Sequence, residues 1–157
     1  MDRSDIKVAG ILLLIGGLAL ANILLWVIAI PNLGGGMVGG RESRLFQSMS
    51  YWRGEARPFA ILEHVVAADN GSITLVLQNN DVTENLIITK LSVGTGSKDA
   101  KTSFAPGETR TMTVDYVTAG DQTAGALYYL AVNISYTTSK NVSATQYGTK
   151  SLIGEYS

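Results

Sequence analysis

The sequence predicts an α+β protein, in which a long N-terminal hydrophobic α-helix precedes an antiparallel immunoglobulin-like β-sandwich of about seven strands. Residues 8–30 carry no charged side chain, and about 20 apolar residues form a helix that crosses a membrane. From Pro58 onward, short segments rich in Ile, Val, Thr and Tyr alternate with turn residues. The predicted domains are a helix at 1–31, a glycine-rich hinge with a short collar at 32–57, and a β-sandwich at 58–157.

Three interpretations compete for the apolar segment 8–30. A cleaved secretory signal has an apolar region of only about 7–15 residues and ends at a small-residue site, which does not follow Ile30. A single membrane anchor fits the length. The third interpretation is a rod that begins in the membrane and is then packed against copies of itself in a filament.

Small residues predict how such a helix would pack. Gly10, Gly17 and Ala21 fall within about 40° of one another on one helical face. Small side chains let helix backbones approach closely, although glycine is also simply common in membrane helices. Asn22 is the one strongly polar side chain, and in an apolar setting it needs a hydrogen-bond partner on a neighbouring helix.

A glycine-rich stretch ends the predicted helix, because proline and glycine both disfavour its continuation. Beyond it, residues 41–52 carry apolar side chains at nearly helical spacing, which predicts a short amphipathic helix with charged flanks. This collar is either solvated or docked on a neighbouring subunit or bilayer surface. The predicted hinge residues are Pro31, Gly34, Gly35, Gly36, Gly39 and Gly40.

The β region reads as strands because apolar and polar residues alternate. Ile73, Leu75 and Leu77 are predicted to face one way, with their neighbours facing the other. Turn residues separate the strands at 69–71, 79–81, 94–96, 106–107 and 120–121. The predicted strands are PFAILEHVVA, SITLVLQN, ENLIITKLSVG, KTSF, ETRTMTVDYV, GALYYLAVNISYTT and TQYGTKSLIGEY.

Composition excludes several function classes. The net charge is −1 with 16% charged residues, which is too little field to indicate nucleic acid as a partner. Cysteine is absent, so disulfides, thiolate metal sites and a cysteine nucleophile are impossible. His64 is the single histidine and is interpreted as structural, and the chain has no nucleotide-binding or hydrolase motif. Asp81, Asp99 and Asp121 are assigned to turns rather than to a metal site.

Three N-x-S sequons lie in the β region, at Asn70, Asn133 and Asn141. Downstream of an apolar segment they are consistent with an exterior location, where N-linked glycans would shield the backbone. We therefore expect the β domain outside the cell, with glycans as its only attached groups and no cofactor or metal.

An apolar N-terminal helix joined to a small β domain resembles an archaeal type IV pilin. The phrases YWRGEARPFAIL, ITLVLQNN and SFAPGETRTMTV are similar to the β domains of pilin-like proteins, and KVAG before Ile11 resembles a leader cleaved by prepilin peptidase. The resemblance implies a subunit inserted in the inner membrane before an assembly platform bundles the helices into a filament core. It also implies glycosylated β domains outside, and a contact of Asp5 with a neighbouring N-terminal amine. Alternatively, Asp5 only stabilises a helix start.

The expected function is that of a non-enzymatic subunit of an extracellular type IV pilus-like filament, a helical homopolymer that serves adhesion or surface contact. The alternative is a monomeric membrane-anchored surface domain that binds a protein or a glycan. A secreted enzyme is not expected, because the sequence shows no recognisable set of catalytic residues.

Overall fold

A computed structural model describes residues 39–118 and 122–157. Within these ranges, Ser43–Ser157 belong to one compact unit. No helix in the described ranges combines the length and the apolar character needed to cross a membrane.

The described chain begins with one helical segment and continues as strands. Helix α1, Gly39–Ser50, runs directly into a single π-helical turn, Tyr51–Glu55. The strands that follow are β1 (Phe59–Val66), β2 (Ile73–Asn79), β3 (Leu86–Val93), β4 (Gly96–Phe104), β5 (Thr109–Val114), β6 (Leu127–Leu130), β7 (Val132–Thr138), β8 (Ser143–Tyr147) and β9 (Leu152–Glu155).

The strands form three antiparallel sheets. One has the order β1-β2-β5, the second β4-β3-β7-β8 and the third β6-β9. The end of β1 also bridges the residue after β9, through a parallel pairing of Val66 with Tyr156. This bridge places the two-stranded sheet beside β1, on the side that β2 does not occupy.

A single hydrophobic core joins the sheets and the π-helical turn. Alternation explains its composition, since successive side chains of a strand point to opposite faces. The predicted pattern of the second strand is confirmed, because Ile73, Leu75 and Leu77 are fully buried while Thr74 and Gln78 are partly exposed. The other large side chains that are fully buried are Trp52, Phe59, Phe104, Ile61, Leu86, Ile88, Leu91, Ile134 and Leu152.

The predicted α+β fold class is wrong. The described residues are mostly strand, with nine strands instead of about seven, and their one helix is short, with exposed polar side chains on much of its surface. No long apolar helix occurs among them, and the segment assigned to that helix, 8–30, lies outside the described residues. The predicted short helix at 41–52 is confirmed as α1 and the turn that follows it.

Two predicted strands are each divided in the structure. The predicted strand at 125–138 is β6 and β7, which belong to different sheets. Between them, the carbonyl of Ala131 accepts a bond of 2.8 Å from the Gly94 N–H. The predicted strand at 145–156 is β8 and β9, which separate at Gly148. There the indole of Trp52 occupies the space that a side chain would need.

Strand β4 begins earlier than predicted. It includes Asp99, which lies opposite Lys90 in the ladder and not in a turn. Exposed charges along the strand hide its β character from a hydrophobicity pattern, although charged side chains are common on edge strands.

Candidate functional site

An apolar groove of about 380 Å³ lies between the helical segment and strands β1 and β9. Cavities of this size are typical of binding sites. Its apolar lining comprises Leu45, Met49, Trp52, Ile61, Leu62 and Ile153, and its polar lining comprises Arg53, Glu63 and His64.

Helix α1 is fixed to the strands by a buried serine. The Ser48 hydroxyl donates to the Ser151 carbonyl and accepts from the Ile153 N–H, each at 2.9 Å. These backbone groups lie at the edge of β9 and need partners when buried. Trp52, in the next turn, is 1% exposed and belongs to the core. Helix and turn therefore form a fixed wall of the groove.

A β-bulge in β1 forms part of the opposite wall. The pairing of β1 with β2 shifts between Ile61 and Glu63, which leaves Leu62 as the extra residue. Its carbonyl accepts a hydrogen bond of 2.6 Å from Arg53 Nε. This bond ties the π-helical turn to β1 and holds the guanidinium at the rim of the groove.

His64 lies in the groove wall and is paired with a tyrosine. Its Nδ1 and the Tyr128 hydroxyl share a hydrogen bond of 2.5 Å, and the two rings meet edge to face. Gly154 permits this arrangement, because a Cβ at that position would collide with the Tyr128 hydroxyl and lie 2.9 Å from His64 Cε1.

Burial disfavours the charged form of both members of this pair. Burial first, and the nearby Arg53 guanidinium second, lower the pKa of His64 to about 4. Burial and then Tyr156 raise the pKa of Tyr128 above its ordinary value. A neutral imidazole bound to a neutral phenol can anchor the wall of the groove.

Within the described ranges, no group of three or more His, Cys, Asp or Glu side chains is placed to hold a metal ion. Asp81 instead closes a turn: it accepts bonds from the Thr83 and Glu84 N–H groups, which lower its pKa. Asp121 lies outside the described residues. The largely apolar lining of the groove suits it to bury apolar groups.

Most predicted packing and hinge residues lie outside the described part of the chain: Asp5, Gly10, Gly17, Ala21, Asn22, Pro31, Gly34, Gly35 and Gly36. The remaining two hinge glycines, Gly39 and Gly40, are the first residues of α1. The hinge and the packing face therefore remain predictions.

The three sequons occupy different settings. Asn70 is exposed in the turn before β2, where its Oδ1 accepts a bond of 2.9 Å from the Ser72 N–H. Asn141 is exposed between β7 and β8 with a φ of 60°, a left-handed conformation that asparagine tolerates. Asn133 is half-buried within β7, opposite Ser92 and Tyr147 on the flanking strands.

Sequence reasoning did not find the groove. Ser48, Leu62, Tyr128 and Gly154 acquire their roles only through contacts with residues distant in the chain. The near-helical spacing of Leu45, Met49 and Trp52 was the available signal, because it indicates one apolar face.

In comparisons with known proteins, no family model matches this chain and no curated protein is similar to it.

Proposed function

We propose that the chain is a non-enzymatic structural subunit of an extracellular filament similar to archaeal type IV pili, serving adhesion or surface contact. The observation that carries this proposal is the charge-free segment 8–30, joined through a glycine-rich stretch to a compact β unit. Apolar segments of many copies would gather in the filament core, while the β units cover its surface.

The driving force is burial of the apolar segments, at about 25 cal/mol per Å² of apolar surface removed from water. In this proposal Gly10, Gly17 and Ala21 form the close-packing face, and Asn22 bonds across to a neighbour. Asp5 contacts the N-terminal amine of the adjacent copy.

The β unit suits the outer position. It has its own hydrophobic core. Ser48 of α1 and Trp52 of the following turn are attached to it, so residues 43–157 are carried as one body. Two of its sequons, at Asn70 and Asn141, are exposed and available for N-linked glycans. In this proposal the chain resides in the membrane before assembly, a prepilin peptidase processes it, and an assembly platform exports it.

Electron microscopy of material sheared from cells that produce the protein tests this function. Filaments whose digest yields peptides of this chain are the expected result. Recovery of the chain only from detergent-solubilised membranes would contradict it. Gly17→Leu should abolish filaments without preventing membrane insertion, whereas Leu14→Ile, which preserves apolar volume, should leave filaments intact.

A membrane-anchored surface domain that binds a protein or a glycan is the second candidate. The groove favours it, because an exposed apolar cleft commonly marks a binding site. Single copies distributed over the cell surface, without filaments, would support this candidate over the first.

A further inference from the structure

Three exposed apolar side chains lie on the elements that border the groove, α1 and β1. Phe46, Met49 and Val65 are 72%, 38% and 44% exposed. Met49 lines the groove, Phe46 lies about 60° away around the same helix, and Val65 follows Glu63 on the same face of β1. Single exposed apolar residues are ordinary, but several of them on the elements that border an apolar cleft indicate an interaction surface.

Two opposite charges lie at the rim of this apolar surface. Arg53 and Glu63 are both exposed and both line the groove. Neither is in an ion pair within residues 39–118 and 122–157. A partner of one charge sign would be repelled by one of the two. A partner that places a negative charge opposite Arg53 and a positive charge opposite Glu63 would form an ion pair with each.

A second copy of the chain meets this requirement. In a two-fold symmetric dimer every contact occurs twice. If one residue of the first copy contacts another residue of the second copy, the same two residues also meet with the copies exchanged. If Arg53 of one copy faces Glu63 of the other, the symmetry repeats the pair, and two complementary ion pairs form from one pair of residues.

We propose that two copies of the chain associate face to face through this surface, with Phe46 of each copy seated in the groove of the other. A cavity of about 150 Å³ suffices for benzene, so a groove of about 380 Å³ accommodates the phenyl ring. This pairing uses only the surface of the β unit and goes beyond the filament function.

Charge reversal tests the pairing in the full-length chain, purified in mild detergent and examined by sedimentation. The wild-type chain should form dimers. Arg53→Glu places two glutamates on one face, and Glu63→Arg places two arginines there, so each variant alone should dimerise roughly tenfold more weakly. An equal mixture of the two variants should recover dimers, because each then offers the complement of the other.

A second test uses the apolar contact. Phe46→Asp should abolish dimers, whereas Val82→Asp should not, since Val82 is 87% exposed on a turn away from the groove. Both positions are exposed, so neither substitution threatens folding, and equal thermal unfolding midpoints verify this.

Recovery of dimers in the mixture together with their loss in Phe46→Asp supports the proposal. A monomeric wild-type chain overturns it. Dimers that persist equally in Arg53→Glu, Glu63→Arg and Phe46→Asp also overturn it, because another surface then holds them. Filaments seen without this dimer would leave the proposed function standing and remove only the pairing.

Discussion

The side-chain amide of Gln146 forms two hydrogen bonds with the backbone of Phe59. Its Nε2 donates to the Phe59 carbonyl and its Oε1 accepts from the Phe59 N–H, both at 2.8 Å. The two residues belong to different sheets, and both are buried. A side chain of β8 thus supplies, for the first residue of β1, the partners that a neighbouring strand would otherwise provide.

Gln146→Leu should lower the free energy of unfolding by about 2–3 kcal/mol, because it leaves a buried N–H and carbonyl without partners. Denaturant unfolding of the full chain in mild detergent measures the change. Gln47→Leu is the matched control, since Gln47 is exposed and its side chain bonds, among the described residues, to Ser43. Equal effects at the two positions would show that the Phe59 contact contributes nothing.

Gly154→Ala should destabilise the fold by about 1–3 kcal/mol, the usual range for overpacking. The added methyl group would collide with Tyr128 and approach His64. Gly54→Ala introduces the same group where nothing lies within 4 Å, and it should be neutral or slightly stabilising. Thermal unfolding of the two variants tests this. Equal unfolding midpoints for Gly154→Ala and Gly54→Ala would contradict the close packing of Gly154 against Tyr128.

Acid should weaken the protein through His64. Its folded pKa of about 4 lies below the ordinary value of 6.5, so the unfolded state binds the proton more readily. The contribution of the neutral His64 to the free energy of unfolding is therefore fully present above pH 6.5, and it is lost as the pH falls toward 4.

We expect a loss of about 1–2 kcal/mol between pH 7 and pH 5. His64→Gln should remove that dependence, because it leaves nothing at this position to titrate. The chain has one histidine, so a single imidazole signal in the NMR spectrum reports its titration. A midpoint near 6.5 in the folded protein would contradict the burial of this ring.

Ser48→Ala should destabilise the attachment of α1 by about 1–2 kcal/mol, because the Ile153 N–H loses its partner. Amide hydrogen exchange should accelerate in α1 and at Ile153 while the core strands β2 and β3 stay protected. Ser50→Ala, at an exposed position of the same helix, controls for helix propensity and should leave exchange unchanged.

If the protein is exported as proposed, glycans should occupy Asn70 and Asn141 but not Asn133. The first two are exposed in turns, whereas Asn133 lies half-buried in a strand paired on both sides. Mass spectrometry of glycopeptides from the secreted protein would decide. Occupancy of Asn133 would require modification before β7 joins its sheet.

Local patterns predict strands well in this chain but not their partners. The alternation of Ile73, Leu75 and Leu77 marks β2 because side-chain direction follows sequence spacing. The same alternation continues without a break from Tyr128 to Ile134, although the chain changes sheets at Ala131. At this point the Ala131 carbonyl bonds to the Gly94 N–H, a long-range contact that no local pattern contains.

The groove was unpredictable for the same reason. The spacing of Leu45, Met49 and Trp52 indicates an apolar helix face, but not the surface against which it packs. The position of that surface depends on Ser48 and on the His64–Tyr128 pair, whose members lie 64 residues apart. Only the folded chain brings them together.

Ser48 on α1 also affects the tendency of the protein to aggregate. A strand with free backbone groups at its edge recruits strands from other chains and begins aggregation. Ser48 occupies the Ser151 carbonyl and the Ile153 N–H, so another chain cannot extend the sheet at that point. Ser48 thereby protects this edge of β9 against pairing with a strand from another molecule.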